Sequence, residues 1–429
     1  MNYKCLAVLI LLLPSALWAK IVDLNFVSNL PLLEINTLNQ KSIRSKTTRV
    51  PGELIIRSNK TNAPSDAPTE GLNIELKVRG SSSAFYPKKQ FGMKLTDGSK
   101  SLLGLSKAKS YVLSGPYADK SLMRNSLAYE ISRNIGLKAP HTQYVELILN
   151  KKYHGIYVLT EKIDINKKTL PLPSIEKGGF LLKVDNGKTP FLKTNWGTKL
   201  TLVSPEEIGK DITLSQFNWI KDWMNYFESS LYRKDYQKTI NQNSFIDFFL
   251  LEELWRNVDS FRRSMFFHKG EDNKLTLGPV WDLDLGGGNL MFYNSKNTKG
   301  WRHANLKFRM GGGNYVPWFN ILLTHLEYKK KLIRRWKELR ENTFSDQNIK
   351  KLIATQKAEI GQDAVDRNFK RWKVMHRPLF PVLFFTVLPF PKDWNDEVFR
   401  LEHYLIKRAH WIDKNIHWIG NFKAGKITY

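Results

Sequence analysis

Two stretches alternate apolar and polar residues with period two. In residues 73–80, NIELKVRG, Ile74, Leu76 and Val78 alternate with Glu75, Lys77 and Arg79. In residues 90–95, QFGMKL, Phe91, Met93 and Leu95 alternate with Gln90, Gly92 and Lys94. Both read as strands with one buried face, and if they pair, Arg79 and Lys94 share a polar face. The SSSAFYP between them is a turn-rich connection. Period 3.6 takes over at residues 119–136, where Met123, Leu127, Ile131 and Ile135 form a stripe between Asp119, an expected N-cap, and Gly136, an expected C′ residue. Residues 144–163 read as a hairpin turning near Lys152–Gly155. Residues 186–243 read as an aromatic-rich helical region and 244–261 as a strongly apolar helix. RSMFFHK (263–269) and LTLGPVWDLDL (275–285) read as two short strands, and 395–419 as a long helix. The apolar run 379–391 holds Pro381, Pro389 and Pro391, so it reads as buried core or packed loop rather than a membrane span.

Composition adds compartment and partner. The 429 residues, 42% hydrophobic and 12% aromatic, are enough for two packed lobes or domains and exclude a disordered chain. Residues 1–19 carry one basic residue, a short apolar run and small residues near Ala19, the pattern of a secretory signal peptide; a retained anchor is the alternative. The expectation is a secreted, periplasmic or envelope protein with no integral membrane segment after cleavage. Cys5, the single cysteine, lies inside that signal, so the mature chain has no disulfide, thiolate metal site or cysteine nucleophile. A net charge of +27 suits a polyanionic surface partner, or simply a soluble secreted protein.

The candidate chemistry centres on GPVWDLDLGGGN, residues 278–289. On a strand, Asp282 and Asp284 point to one side, about 7 Å apart, and repel unless a cation sits nearby. Oxygen ligands suit Mg²⁺ or Mn²⁺. The triple glycine leaves room for a bend and for a bulky anion to approach the backbone. An isolated D-x-D also fits a turn cap and a lysine pair. Asp259, 23 residues upstream in RNVDSFRRS, gives a loop carboxylate, a short hairpin and a metal-type carboxylate. That is the order found in protein kinases, although no G-x-G-x-x-G, H-R-D or D-F-G string is present.

The strings VRGSSSAFYPKKQFGMKL, SGPYADKSLMRNSLAYEISRNIGL, YHGIYVLTEKID, LEELWRNVDSF and GPVWDLDLGGGN, in that order, resemble the CotH family of secreted, atypical kinase-like proteins. The resemblance runs from about residue 71 to 290 and more weakly beyond. It implies an α+β, divergent two-lobed protein-kinase-like fold, with a β-rich N-lobe (71–185) and a mainly helical C-lobe (186–429). Residues 20–70 are then an N-terminal extension. It also implies ATP- and Mg²⁺- or Mn²⁺-dependent phosphorylation of Ser/Thr hydroxyls, with serine-rich proteins as substrates. Carried onto this chain, Asp259 is the catalytic-loop aspartate and Asp282, with Asp284, the metal-binding carboxylate. Lys94 or a neighbour contacts phosphate, Arg79 opens the loop where phosphates pass, and Glu161 sits near the inter-lobe hinge. Arg124 and Asn125 border the cleft, and Asn257 joins the nucleotide-binding set. Ser264 stands where kinases place the asparagine of a second metal and is a weaker ligand.

Three functions compete: an extracytoplasmic kinase, a catalytically silent kinase-like envelope or adhesion scaffold, and a metal-dependent nuclease. The last needs further acidic or histidine ligands, and His268 is the only histidine in that stretch.

Overall fold

The computed structural model describes residues 22–59, 61–163, 170–185, 191–289, 296–305, 316–377 and 390–420. The expected signal peptide, nearly all of the 379–391 run and the second GGGN (311–314) lie outside them.

Seven strands close a barrel: β1 (Leu32–Thr37), β2 (Val50–Arg57), β3 (Glu70–Arg79), β4 (Gln90–Leu95), β5 (Ser110–Ser114), β6 (Thr142–Leu149) and β7 (Lys152–Glu161). Their order is β1-β2-β3-β4-β5-β7-β6. β1 closes the ring by pairing parallel with β6, Leu32 opposite Glu146. Alternation fills the interior with Leu33, Ile35, Leu54, Ile56, Leu76, Met93, Leu147 and Leu159. β1 and β2 come from residues read as an extension, so that segment is part of the barrel wall. The expected β3–β4 pair forms, with Glu75 opposite Lys94 and Arg79 opposite Gln90, so Arg79 and Lys94 do share the outer face.

The hairpin turns earlier than the sequence suggested. Asn150 and Lys151 both have positive φ, 50° and 60°, as a two-residue type I′ turn demands. Gly155 (φ 92°) instead marks the bulge where the β6–β7 register shifts.

The rest is mainly helical, as expected, but it also holds a sheet. A five-stranded antiparallel sheet joins β8 (Phe180–Val184), β9 (Phe191–Lys193), β10 (Lys199–Ser204), β11 (Met265–Lys269) and β12 (Leu275–Leu277), in the order β12-β11-β8-β10-β9. β9 and β10 fall where helix was expected, and the boundary drawn after residue 185 cuts this sheet. The helices are α1 (Arg124–Asn134), α2 (Leu214–Tyr232), α3 (Gln242–Trp255), α4 (Trp318–Leu322), α5 (Leu326–Glu341), α6 (Asp346–Ile360), α7 (Gln362–Arg371) and α8 (Trp394–Asn415). α3 is buried all round from Ser244 to Trp255 and forms the axis of the larger core. Among the described residues no helix is long and apolar enough to cross a membrane.

α1 starts five residues after Asp119. Asp119 still serves its N-terminus, accepting from Arg124 N (2.8 Å) and from the backbone and hydroxyl of Ser121 (3.0 and 2.6 Å). Gly136 follows the C-cap in the left-handed region, as expected.

Candidate active site

The buried α3 ends in a left-handed Arg256 (φ 47°) and delivers Asn257, Val258 and Asp259 into a tight loop. The Asp259 carbonyl accepts from the backbone N–H groups of Arg262 (3.1 Å) and Arg263 (3.0 Å). Phe261 and Ser264 are also left-handed, at 61° and 52°. Non-glycine residues rarely adopt that region, and its repeated use here shows a loop fixed by its surroundings. Those surroundings are ionic and buried. Arg302 donates through Nη2 to the Val258 carbonyl at 2.6 Å, and the Ser260 hydroxyl donates to Glu252. Glu253 binds His303 at 2.6 Å and Arg408 at 2.9 Å. Burial pushes Glu253 up, but His303 and Arg408 outweigh it and hold the carboxyl down at about 2.

Asp282 reaches Asp259 from a second loop, not from a strand. β12 ends at Leu277; the Gly278 N–H still donates to the Phe266 carbonyl at 2.9 Å, but Pro279 has no N–H to carry the ladder further, and Asp282 is left-handed (φ 68°). Its carboxylate accepts from the Ser264 hydroxyl at 3.2 Å. Its carbonyl accepts from Asn257 Nδ2 at 2.9 Å, and its N–H donates to the Tyr129 hydroxyl at 3.2 Å. Asn125 Oδ1 accepts from Leu283 N at 2.8 Å, so α1 clamps the same loop. Asp284 lies in the turn that follows.

The three glycines answer to packing. A Cβ on Gly286 would stand 2.3 Å from the Trp255 ring, and one on Gly288 2.7 Å from Tyr404. Gly287 and Gly288 have positive φ, 55° and 75°, so the expected bend is there. The space expected for an anion is filled by α3 and α8.

The carboxylates repel. Asp282 is raised by burial and then by Asp259, with Arg79 opposing; Asp284 is raised well above its ordinary range by burial and then by Asp282. Asp259 is raised by burial against the pull of Arg263, Arg262 and Arg302. Asp185 adds charge to both Asp259 and Asp282. Sequence reading missed it. Only the β8–β11 register, with Val184 opposite Met265, brings it beside Ser264. Such a donor set fits a hard divalent cation. Among the described residues no three His, Cys, Asp or Glu side chains are grouped to hold a metal unaided. A Mg²⁺ that travels with phosphates needs only one or two carboxylates.

The remaining expected residues separate. Arg79 lies 5.1 Å over the Trp281 ring, beside Asp282. Lys94 stands opposite Glu75, four residues along β3 from Arg79 and thus about 13 Å away. Lys77 is the closer lysine on that face. Arg124 is 1% exposed, bound to Asp119, to Glu397 (2.9 Å) and to the Gly287 carbonyl (3.3 Å), so it buttresses the glycine turn from behind. Glu161 accepts from Ser106 N (2.8 Å) and His141 N (2.9 Å) and locks two barrel loops. Ser264 orients Asp282.

The inner spore coat protein H of Bacillus subtilis (strain 168) is 21% identical over 280 residues, 64% of this chain and 71% of that protein. Among solved structures, the Helicobacter pylori proinflammatory kinase CtkA is a loose likeness: TM-score 0.28, 12% identity, 76% of this chain and 94% of that one. The family model described as CotH kinase protein matches residues 76–412, from β3 of the barrel through nearly all of α8. The chain belongs to the CotH kinase protein family.

Proposed function

We propose that this protein is an extracytoplasmic phosphotransferase that moves the γ-phosphate of ATP to Ser/Thr hydroxyls of a protein, serine-rich by family analogy. The supporting observation is that Asp259 and Asp282 stand on two loops held together by Asn257 and Ser264. In this reading the barrel serves as the kinase N-lobe and the helical part with its sheet as the C-lobe, with the outer face of β3–β4 over the nucleotide.

Asp259 orients the acceptor hydroxyl and takes its proton as the oxygen attacks phosphorus. Arg79 neutralises phosphate oxygens beside Asp282. Asp282 and Asp284 would hold Mg²⁺ or Mn²⁺, whose charge stabilises the phosphates when bound. The signal-like N-terminus supports secretion to the periplasm, envelope or medium. The excess of cations supports a polyanionic surface partner; binding to an acidic polymer should weaken steeply with salt.

The test is ATP binding by residues 20–429 with Mg²⁺, with Mn²⁺ and with chelator, followed by label transfer to a serine-rich acceptor. Affinity that ignores chelator removes the metal role. Metal-dependent ATP binding without transfer to any hydroxyl acceptor leaves a scaffold.

A further inference from the structure

Among the buried arginine N–H groups near the carboxylates that make no hydrogen bond are Nη1 of Arg79 and Nε of Arg263. A buried, unsatisfied donor is costly, and more so when charged. Neighbouring arginines are also held by the protein through other N–H groups. Arg302 holds the Val258 carbonyl, Arg256 the Lys299 carbonyl at 2.8 Å, and Arg124 the Gly287 carbonyl. Arg79 is held by its Trp281 ring, on the Asp282 side. Arg263 is held through its backbone, whose N–H donates to the Asp259 carbonyl at 3.0 Å, and its guanidinium faces the Asp259 carboxylate as a charge without a hydrogen bond through Nε. Its guanidinium is thus tethered four residues past the proposed base, with donors awaiting acceptors.

We infer that Arg263 is a catalytic arginine that receives the transferring phosphoryl group from the Asp259 side while Arg79 receives it from the Asp282 side. The inference rests on the phosphotransferase reading. In the transfer, the acceptor oxygen bonds to the γ-phosphorus and its proton passes to Asp259. The bond from that phosphorus to the β,γ-bridging oxygen breaks, and ADP leaves with the electron pair. Charge spreads over the three equatorial oxygens, and these accept from Arg263. An arginine in this role is already part of the chain, so no partner need supply it.

The experiment measures Mg·ADP binding by calorimetry, with and without aluminium fluoride as a mimic of the transferring group, beside the transfer rate. Wild type should bind ADP at least about tenfold tighter with fluoride, a gain of the kind transition-state mimics show. Arg263→Gln should lose that gain, keep its ADP affinity within about twofold, and transfer about 1,000-fold more slowly. Free guanidinium should restore part of the rate to Arg263→Ala, which a structural defect would not allow. Arg263→Gln that keeps both the fluoride gain and the rate overturns the inference and leaves the phosphotransferase reading standing. Wild type that binds no nucleotide removes that reading and Arg263 with it.

Discussion

The Asn257 side chain touches both loops of the site. Nδ2 donates to the Asp282 carbonyl at 2.9 Å, and Oδ1 accepts from the Asp259 N–H at 3.4 Å. The amide is 2% exposed and sets the spacing of the two aspartates. Asn257→Ala leaves a buried carbonyl unpaired, at a cost of about 1–3 kcal/mol. Small misplacement of catalytic groups lowers rates by up to about 100-fold. Chemical unfolding and transfer kinetics should therefore both change; an unaltered rate would show that the amide only supports the fold.

Asp259 and Asp282 are expected to fail differently. Asp259→Ala should lower transfer by roughly 100-fold or more while metal–nucleotide affinity stays nearly intact, since a general base acts in the transition state. Asp282→Asn should weaken metal–nucleotide binding as well. Equal loss of nucleotide affinity in both variants would mean that the two carboxylates form one binding cluster and that neither is the base.

The barrel face makes a separate prediction. Arg79→Ala should weaken ATP binding about tenfold or more, the order of one lost charge-assisted contact. Lys94→Ala, about 13 Å further along the sheet, should change it by less than twofold. A larger effect at Lys94 would place the phosphates beyond Arg79.

Glu252 carries the pH prediction. Burial pushes its carboxyl from 4.5 up to about 7, against the Ser260 hydroxyl and Arg302. Between those pH values the folded protein keeps a proton that the unfolded chain has released. Stability from this group therefore falls as pH rises from 4.5 to 7 and stays low above 7. Glu252→Gln keeps an acceptor for Ser260 and has no charge to bury. Its stability advantage over wild type should grow across that window to at most about 3 kcal/mol. Thermal unfolding from pH 4.5 to 8 measures it, and a difference independent of pH would show that Glu252 is ionised throughout.

Local chemistry was legible in the sequence. Alternation put Arg79 and Lys94 on one face, and the order of Asp259 and Asp282 located the two site loops. What failed was non-local or depended on chain direction. Asp282 and Asp284 read as strand residues because WDLDL alternates, whereas Pro279 had already ended the ladder. Arg124 looked available because Glu397 and Gly287, which engage it, are remote in sequence. The glycines looked like ligand space because nothing nearby announced Trp255 and Tyr404. Asp185 carried no local signal, and β1 and β2 were hidden in a polar stretch whose partners lie beyond residue 70.

The seam between β1 and β6 bears on where the chain can be cut. The family match opens at residue 76, inside β3. A chain trimmed to that point loses β1, β2 and the first six residues of β3. The remaining ring then opens, with the stub of β3 at one end and β6, which held β1, at the other. Unpaired strand edges with apolar inner faces recruit other chains. The shortened protein is therefore expected to self-associate and precipitate, and a failed nucleotide assay on it would report aggregation rather than the absence of a site.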